Sequence, residues 1–436
     1  MDLPEKPIDW MEMLSREGDQ VFKLIKDKEL FKKVIEFNKK YLYWDELKYR
    51  VSDKTERRYL WTLMKFIRSE RFEVIPFHSV KLKQIILPEI NRYLHRFDKF
   101  LAGNIEIQNK SLGLQKKYIV SSLMEEAIAS SMLEGAITTR KVAKEMLKQK
   151  RRPRNKSEQM VVNGYETMQM ITKRKNEQLT PEFLLGIQMI VTKETLEHSE
   201  DVGKFRDNND VIVGHDTKPE LIYHIPPDHK KIKDMIKELC DFANDDGEDF
   251  IHPIIKGVIL HFLIGYIHPF NDGNGRTARS VFYWYVLSRG YWMFEYTAVS
   301  RRILRSKKDY GLAYLYTEFD EFDLTYFIKF NLTAIDDSLT DLLEYIKTKQ
   351  EEQREAQQLI EKIKDLNFRQ ASILEEVMKN PEKSYTIREI SETYNIVYQT
   401  ARTDLLLLAK LGYLVMKQVS KQFLFKFNLE SKNKLR

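Results

Sequence analysis

The 436-residue chain has a single cysteine, Cys240, and few residues that interrupt regular structure: 16 glycines and 12 prolines. One thiol can form no internal disulfide and gives no metal-binding Cys spacing, which excludes a disulfide-stapled secreted fold and a zinc module. With so few breakers, most segments run on with apolar residues at helical spacing, and the fold class expected is mainly α. No run of about 18 apolar residues occurs, so no bilayer-spanning segment and no membrane partner are expected. The opening MDLPEKPIDW lacks the basic-then-apolar order of a signal peptide, and the expected location is cytoplasmic.

What is present is ordinary for a globular chain, 42% hydrophobic and 31% charged, but its length exceeds one compact core and implies several domains. Net charge is +7, and residues 367–436 alone carry 12 Lys+Arg against 7 Asp+Glu, which directs any polyanion partner to that end. Four regions are expected. Residues 1–110 form an N-terminal helical region with amphipathic helices at 20–47 and 80–101 and no assignable chemistry. Residues 111–335 form a central domain, 336–366 a charged linker helix, and 367–436 three helices followed by a hairpin. In the last region Ala401, Leu405 and Leu408 make one apolar face, which leaves Tyr398, Gln399, Arg402 and Thr403 on the other. That order resembles a winged helix-turn-helix domain, and the resemblance implies DNA as a partner. A helical protein-interaction module stays open as the alternative.

The central region begins with a helix from about 116 in which Ile119, Leu123, Ala127 and Ser131 recur at i, i+4. Gly135 follows as its C-cap, and Thr138 or Thr139 caps the next helix. Further helices are expected at 158–174 and 181–193. The β-rich runs 210–213 and 221–225 flank the turn-rich GHDTKPE, which is a hairpin pattern.

Residues 268–279 read HPFNDGNGRTAR. An apolar helix ends at His268-Pro269, a turn follows, and a second helix starts at the glycines. Gly273 and Gly275 let backbone amides approach an anion at that helix N-terminus. Arg276 and Arg279, at i, i+3, share one face of the first turn and suit two phosphate groups. Asp272 beside the loop fits a Mg²⁺ ion that keeps most of its waters, so a nucleoside triphosphate with magnesium is the expected ligand. His268 has the proton affinity to take a proton from an attacking hydroxyl.

This run resembles the Fic-domain signature HPFx(D/E)GNGRxxR at every fixed position: His268, Pro269, Phe270, Asp272, Gly273, Asn274, Gly275, Arg276 and Arg279. The resemblance, over roughly 115–335, implies a mostly helical domain that transfers AMP from ATP to a Ser, Thr or Tyr hydroxyl of a protein target or of the chain itself. It implies His268 as base, Asp272 as Mg²⁺ ligand, Gly273, Asn274 and Gly275 as anion hole, Arg276 and Arg279 as phosphate clamps, and Phe270 as a buried anchor. GKFRDNNDVIV with the hairpin looks like the family's flap, which aligns the target segment as an added strand, and DLTYFIKF looks like its closing helix. Doc relatives, which transfer the γ-phosphate, alter the GNGR segment, and this chain does not. One departure stands out: Ser306-Lys307 and Tyr310-Gly311 occur where the family more often has Asn-Arg and Tyr-Tyr near the nucleobase. A nucleotide donor other than ATP therefore stays open.

Ser130, Glu134 and Gly135 resemble a second family signature, (S/T)xxxE(G/N), carried on an inhibitory helix at about 116–135. It implies that Glu134 pairs with Arg279 and withholds that guanidinium from the γ-phosphate. Together these resemblances imply an autoinhibited protein adenylyltransferase. The alternative is a DNA-binding regulator in which the Fic core senses nucleotide.

Overall fold

The computed structural model describes residues 2–102, 116–215, 218–245, 247, 250–363, 366–419 and 422–431. The chain is mainly helical and divides into two compact units. The first is built from Met1–Ile105 and Leu114–Thr340, the second mainly from Asp341–Arg436.

The N-terminal residues do not stand apart from the central ones. Helices Trp10–Lys26, Lys28–Lys40 and Lys54–Ser69 open the first unit. The Lys65 ammonium, fully buried, pairs with Asp320 at 2.7 Å. Tyr41 Oη donates to Asp323 Oδ2 at 2.6 Å, and Arg68 Nη1 donates to Tyr326 Oη at 2.8 Å. Two buried cations and two buried carboxylates in one cluster leave neither sign uncompensated, and breaking one partner strands the other. The expected helix at 20–47 starts earlier and breaks at Asp27, whose carboxylate accepts from the Glu29 and Leu30 amides and caps a new helix. The one expected at 80–101 is delayed to Pro88–Phe97, behind an antiparallel pairing of Glu73–Val74 with Lys83–Gln84. Pro88, lacking an N–H, is compatible only with the first turn.

Helix Lys116–Leu133 packs on Lys156–Lys173, where Ser131 Oγ donates to the Met160 carbonyl at 3.0 Å. Leu123, Ala127 and Ser131 are buried as their spacing requires, while the side chain of Ile119 lies outside the described residues. Gly135 takes φ +89°, a left-handed C-terminal turn, and Thr139 rather than Thr138 caps the next helix by accepting from Val142 N. Helix Pro181–Thr192 follows. The hairpin pairs Val213–His215 with Lys218–His224 through a register shift. Its first strand begins later than the expected 210, because Asn208 Oδ1 accepts from Asp210 N and holds a turn there.

Two almost wholly buried helices, Pro253–Ile267 and Asn274–Ser288, carry the motif between them. The stretch read as closing helix and the stretch read as linker are one helix, Thr325–Lys362, so the boundary placed at 335 falls within it. No glycine or proline interrupts those residues.

The second unit contains Phe368–Lys379, Ile387–Tyr394 and Tyr398–Lys410. A three-stranded antiparallel sheet completes it, ordered Tyr385–Thr386, Gln422–Phe427, Leu414–Val419. Ala401, Leu405 and Leu408 are fully buried in one core with Ile373, Leu374 and Phe425. Asp404, buried on the same helix, accepts from Arg369 Nε at 2.5 Å and Gln370 Nε2 at 2.9 Å, which ties this helix to the first.

Candidate active site

His268 ends the Pro253–Ile267 helix in a left-handed conformation, φ 48°, and Pro269 prevents the helix from resuming. The turn that follows is held from inside. Asn274 Oδ1 accepts from Phe270 N at 2.9 Å, and its Nδ2 donates to Phe270 O at 2.7 Å. Phe270 is fully buried and stacks on Phe205. Asn274 therefore has its side chain committed to the loop, and only its backbone amide is left for the anion-hole role expected of it. No side chain caps the start of Asn274–Ser288. Its first-turn amides are donors without intrahelical partners.

Gly273 is required by its φ of +88° and by its neighbour, and Gly275 lets Glu134 come close. A Cβ at Gly273 would lie 2.7 Å from Thr192 Cγ2, and one at Gly275 would lie 2.1 Å from Glu134 Oε1. The second distance puts the Glu134 carboxylate against the first turn of this helix, whose N-terminal amides and dipole also favour a phosphate.

The two arginines are both buried, with side chains 3% exposed, but they face different partners. Arg279 Nε donates to Ser130 Oγ at 2.9 Å, and its Nη2 donates to Ser130 O and Glu134 Oε1, each at 3.0 Å. Arg276 Nη1 donates to Val191 O at 2.8 Å, while its Nη2 lies 3.3 Å from Asp272 Oδ1. Arg276 thus braces the loop, and Arg279 grips the 116–133 helix end. Asp272, with its side chain about half exposed, also accepts from Gly273 N.

Electrostatics follow from this crowding. Burial pushes the Glu134 carboxyl up, but Arg279, Arg276 and His268 together hold it below the usual carboxylate range. For His268, burial dominates and brings the imidazole down to about 4, with the Gly265 carbonyl pulling the other way and His224 adding to the depression. Its Nδ1 lies 3.1 Å from Gly265 O. A carbonyl only accepts, so Nδ1 carries the proton and Nε2 is left with a lone pair, the form a general base needs.

Several residues that no motif flagged complete the site. Arg206 donates from Nε to His268 O and from its backbone amide to Pro269 O, both at 2.9 Å. Its only sequence signal was its place in the flap-like GKFR. Lys307 Nζ donates to Leu133 O at 3.0 Å, so the residue noted as a departure near the nucleobase meets the end of the helix that bears Glu134. Tyr310 Oη and His261 Nε2 are 2.8 Å apart. Burial brings His261 down to about 3. The His268, Asp272, Arg276, Arg279, Ser130 and Glu134 read from sequence all converge on this one turn.

Residues 178–286 match the Fic/DOC family. The chain contains a Fic domain. A curated protein adenylyltransferase Fic from Nematostella vectensis is 28% identical over 106 residues, covering 24% of this chain and 22% of that relative. The chain thus spans less than a quarter of that relative's length. Fic-1 of Caenorhabditis elegans is 39% identical over 54 residues, 12% of this chain and 11% of that one. At the level of fold, a Fic family protein from Desulfovibrio desulfuricans superposes with a TM-score of 0.56 at 17% identity, over 79% of this chain and 97% of that one. The family match over residues 178–286 includes the His268 turn, the helix before it and all but the last two residues of the helix after it. Glu134 and Ser130 lie upstream of the residues matched by the family.

Proposed function

We propose that the Fic domain transfers AMP from ATP to a hydroxyl group of a protein, and that Glu134 holds it in a restrained state. The observation that carries this is the Glu134 carboxylate packed against Gly275 in the first turn of the motif helix while paired to Arg279. An internal anion occupies the place suited to a phosphate, beside a base already in its deprotonated form.

In the reaction, a Ser, Thr or Tyr oxygen attacks the α-phosphorus, the bond to the bridging oxygen breaks, and pyrophosphate leaves. His268 Nε2 takes the hydroxyl proton, aided by the Nδ1–H contact that fixes its tautomer. First-turn amides at Gly275 and Arg276 face the α- and β-phosphates, and Arg279, once released from Glu134, reaches the γ-phosphate. Asp272 would hold Mg²⁺. It is an exposed single carboxylate and the described residues contain no cage of three or more His, Cys, Asp or Glu, which suits an ion whose other ligands are phosphate oxygens and water. That ion would neutralise charge on the departing pyrophosphate.

Intact-mass measurement of the chain after incubation with ATP and Mg²⁺ tests the reading. A species heavier by one AMP is expected from the Glu134→Gly variant, and its absence on the chain and on added protein acceptors would sink it. UTP or GTP giving the heavier species in place of ATP would reassign the donor, a question that Lys307 and Gly311 raise.

The second unit favours an additional role. Its order of helix, short strand, two helices and a two-stranded hairpin supports a winged helix-turn-helix with Tyr398–Lys410 as recognition helix and duplex DNA as partner. Tyr398, Gln399 and Thr403 are exposed on it, and Arg402 is half-buried. A gel-shift series with the full chain on random and selected duplexes separates this from a protein-interaction module. No helix among the described residues is long and apolar enough to cross a membrane.

A further inference from the structure

Two residues before His268, the carbonyl of Tyr266 lies 2.8 Å from His224 Nε2. Because a carbonyl only accepts, Nε2 of His224 carries a proton. Its other nitrogen, Nδ1, is 2.8 Å from Glu318 Oε2 on helix Lys307–Phe319. A carboxylate likewise only accepts, so the ring donates at both nitrogens, to a carbonyl and to a carboxylate. It is 8% exposed and ends the trailing strand of the hairpin, opposite Val213.

The last turn of Pro253–Ile267 thus presents two successive carbonyls to two histidines: Gly265 O to His268 and Tyr266 O to His224. Such carbonyls have no intrahelical partner and must find one outside. The ring centroids lie 6.4 Å apart. At the leading root of the hairpin, Arg206 binds His268 O and Pro269 O, and its Nη2 reaches Pro227 O beyond the trailing strand. Both roots of the hairpin are tied to the turn that carries His268.

We propose that His224, oriented by Glu318, is a positioning residue that pins the trailing strand to Tyr266 O and so sets how far the hairpin edge stands from the His268 imidazole. The proposal rests on the AMP-transfer reading and deepens it. A protein hydroxyl presented along the hairpin edge must arrive within hydrogen-bond reach of Nε2 and in line with the α-phosphorus, and a misplacement of about 1 Å can cost about a hundredfold in rate. Water at the same phosphorus is not aligned by the hairpin. The pin therefore acts on the choice of acceptor, and nucleotide binding is outside its reach.

The test uses the full chain in the Glu134→Gly background, with ATP and Mg²⁺, and follows two rates: AMP incorporated into protein, and pyrophosphate released in excess of it, which reports water as acceptor. His224→Ala should lower incorporation about tenfold or more while the water reaction stays unchanged. His224→Gln, whose amide can still donate to Tyr266 O, should recover most of the loss. Glu318→Gln keeps the shape and removes the charge, so a selective fall in incorporation there supports the pin even if His224→Ala does not fold. Unchanged incorporation in both variants, or incorporation and water reaction falling in parallel, overturns the pin alone. A Glu134→Gly parent that neither labels protein nor releases pyrophosphate overturns the AMP-transfer reading and the pin with it. Release without labelling overturns the protein-acceptor part of that reading, and again the pin.

Discussion

The His268–Arg279 turn and the outer face of the Tyr398–Lys410 helix are built on opposite plans. In the turn, Arg276 and Arg279 bind distant parts of the chain at Val191 and Ser130, while Asn274 binds Phe270 within the turn and His268 binds Gly265 O just before it. On the outer face Val397 is 71% exposed and Tyr398 55%, and Gln399 and Thr403 stand in solvent. A site proposed to handle phosphate and move a proton needs its groups at fixed distances before the ligand arrives, which burial and internal hydrogen bonds provide. A surface that meets a large charged partner works with long side chains that settle on contact. On the functions proposed for them, substitutions in the turn should act through chemistry and through competition between Glu134 and phosphate, and those on the outer face through salt-dependent affinity for DNA.

The largest effect is expected at His268. His268→Ala should lower AMP incorporation about 10²- to 10⁴-fold and leave ATP affinity nearly as it was, since the phosphate ligands are untouched. Equal loss of binding and transfer, measured by calorimetry beside labelling, would show that the imidazole holds the loop rather than moving the proton. Glu134→Gly should raise incorporation about ten- to a hundredfold, the worth of one charge-assisted contact of about 1.5–3 kcal/mol. Adding Arg279→Ala should cancel that gain. No gain in the single variant would mean that the Glu134 contact does not limit nucleotide entry.

On the outer face, Arg402→Ala in the full chain should weaken duplex binding about equally on all sequences and make the log–log salt slope shallower by about 0.9. An unchanged slope would take Arg402 off the DNA and favour a protein partner. A smaller effect belongs to Lys307→Ala, which frees the Leu133 carbonyl at the end of the 116–133 helix. Net loss of about 1 kcal/mol there loosens Glu134 and should raise incorporation about fivefold, with Lys307→Arg close to the parent. The smallest is a matter of pH. With His268 held near 4, against 6.5 for an ordinary imidazole, it stays a base in mild acid, and the acid limb of kcat/KM assignable to it should fall well below pH 6. Glu134 raises His268's affinity for the proton, so Glu134→Gly should move that limb lower still. The same depression costs stability as pH falls from 6.5 toward 4, because the unfolded chain takes up this proton first.

The parts whose logic is local follow from the order of residues alone. Pro269 stops one helix, Gly273 and Gly275 permit the next to start against an anion, and periodic Ala401, Leu405 and Leu408 choose their buried face, because these effects act within a few residues of the chain. The order of base, acid, glycines and arginines was legible for the same reason, and so was Glu134, although 145 residues separate it from Arg279, since both lie in family-like strings. Which partner each polar group takes is settled by packing in three dimensions. Arg276 and Arg279 share a helix face in sequence, but one binds Val191 O and the other Ser130 and Glu134. Asn274 turns its amide inward to Phe270. His224, Arg206 and Lys307 stand in no motif of their own, yet each closes a carbonyl left open at a helix end or turn, at Tyr266, His268 and Leu133. An unpaired backbone carbonyl in a packed interior must be satisfied by whatever donor the fold brings near, and that donor comes from a distant part of the chain, where spacing along the sequence carries no information.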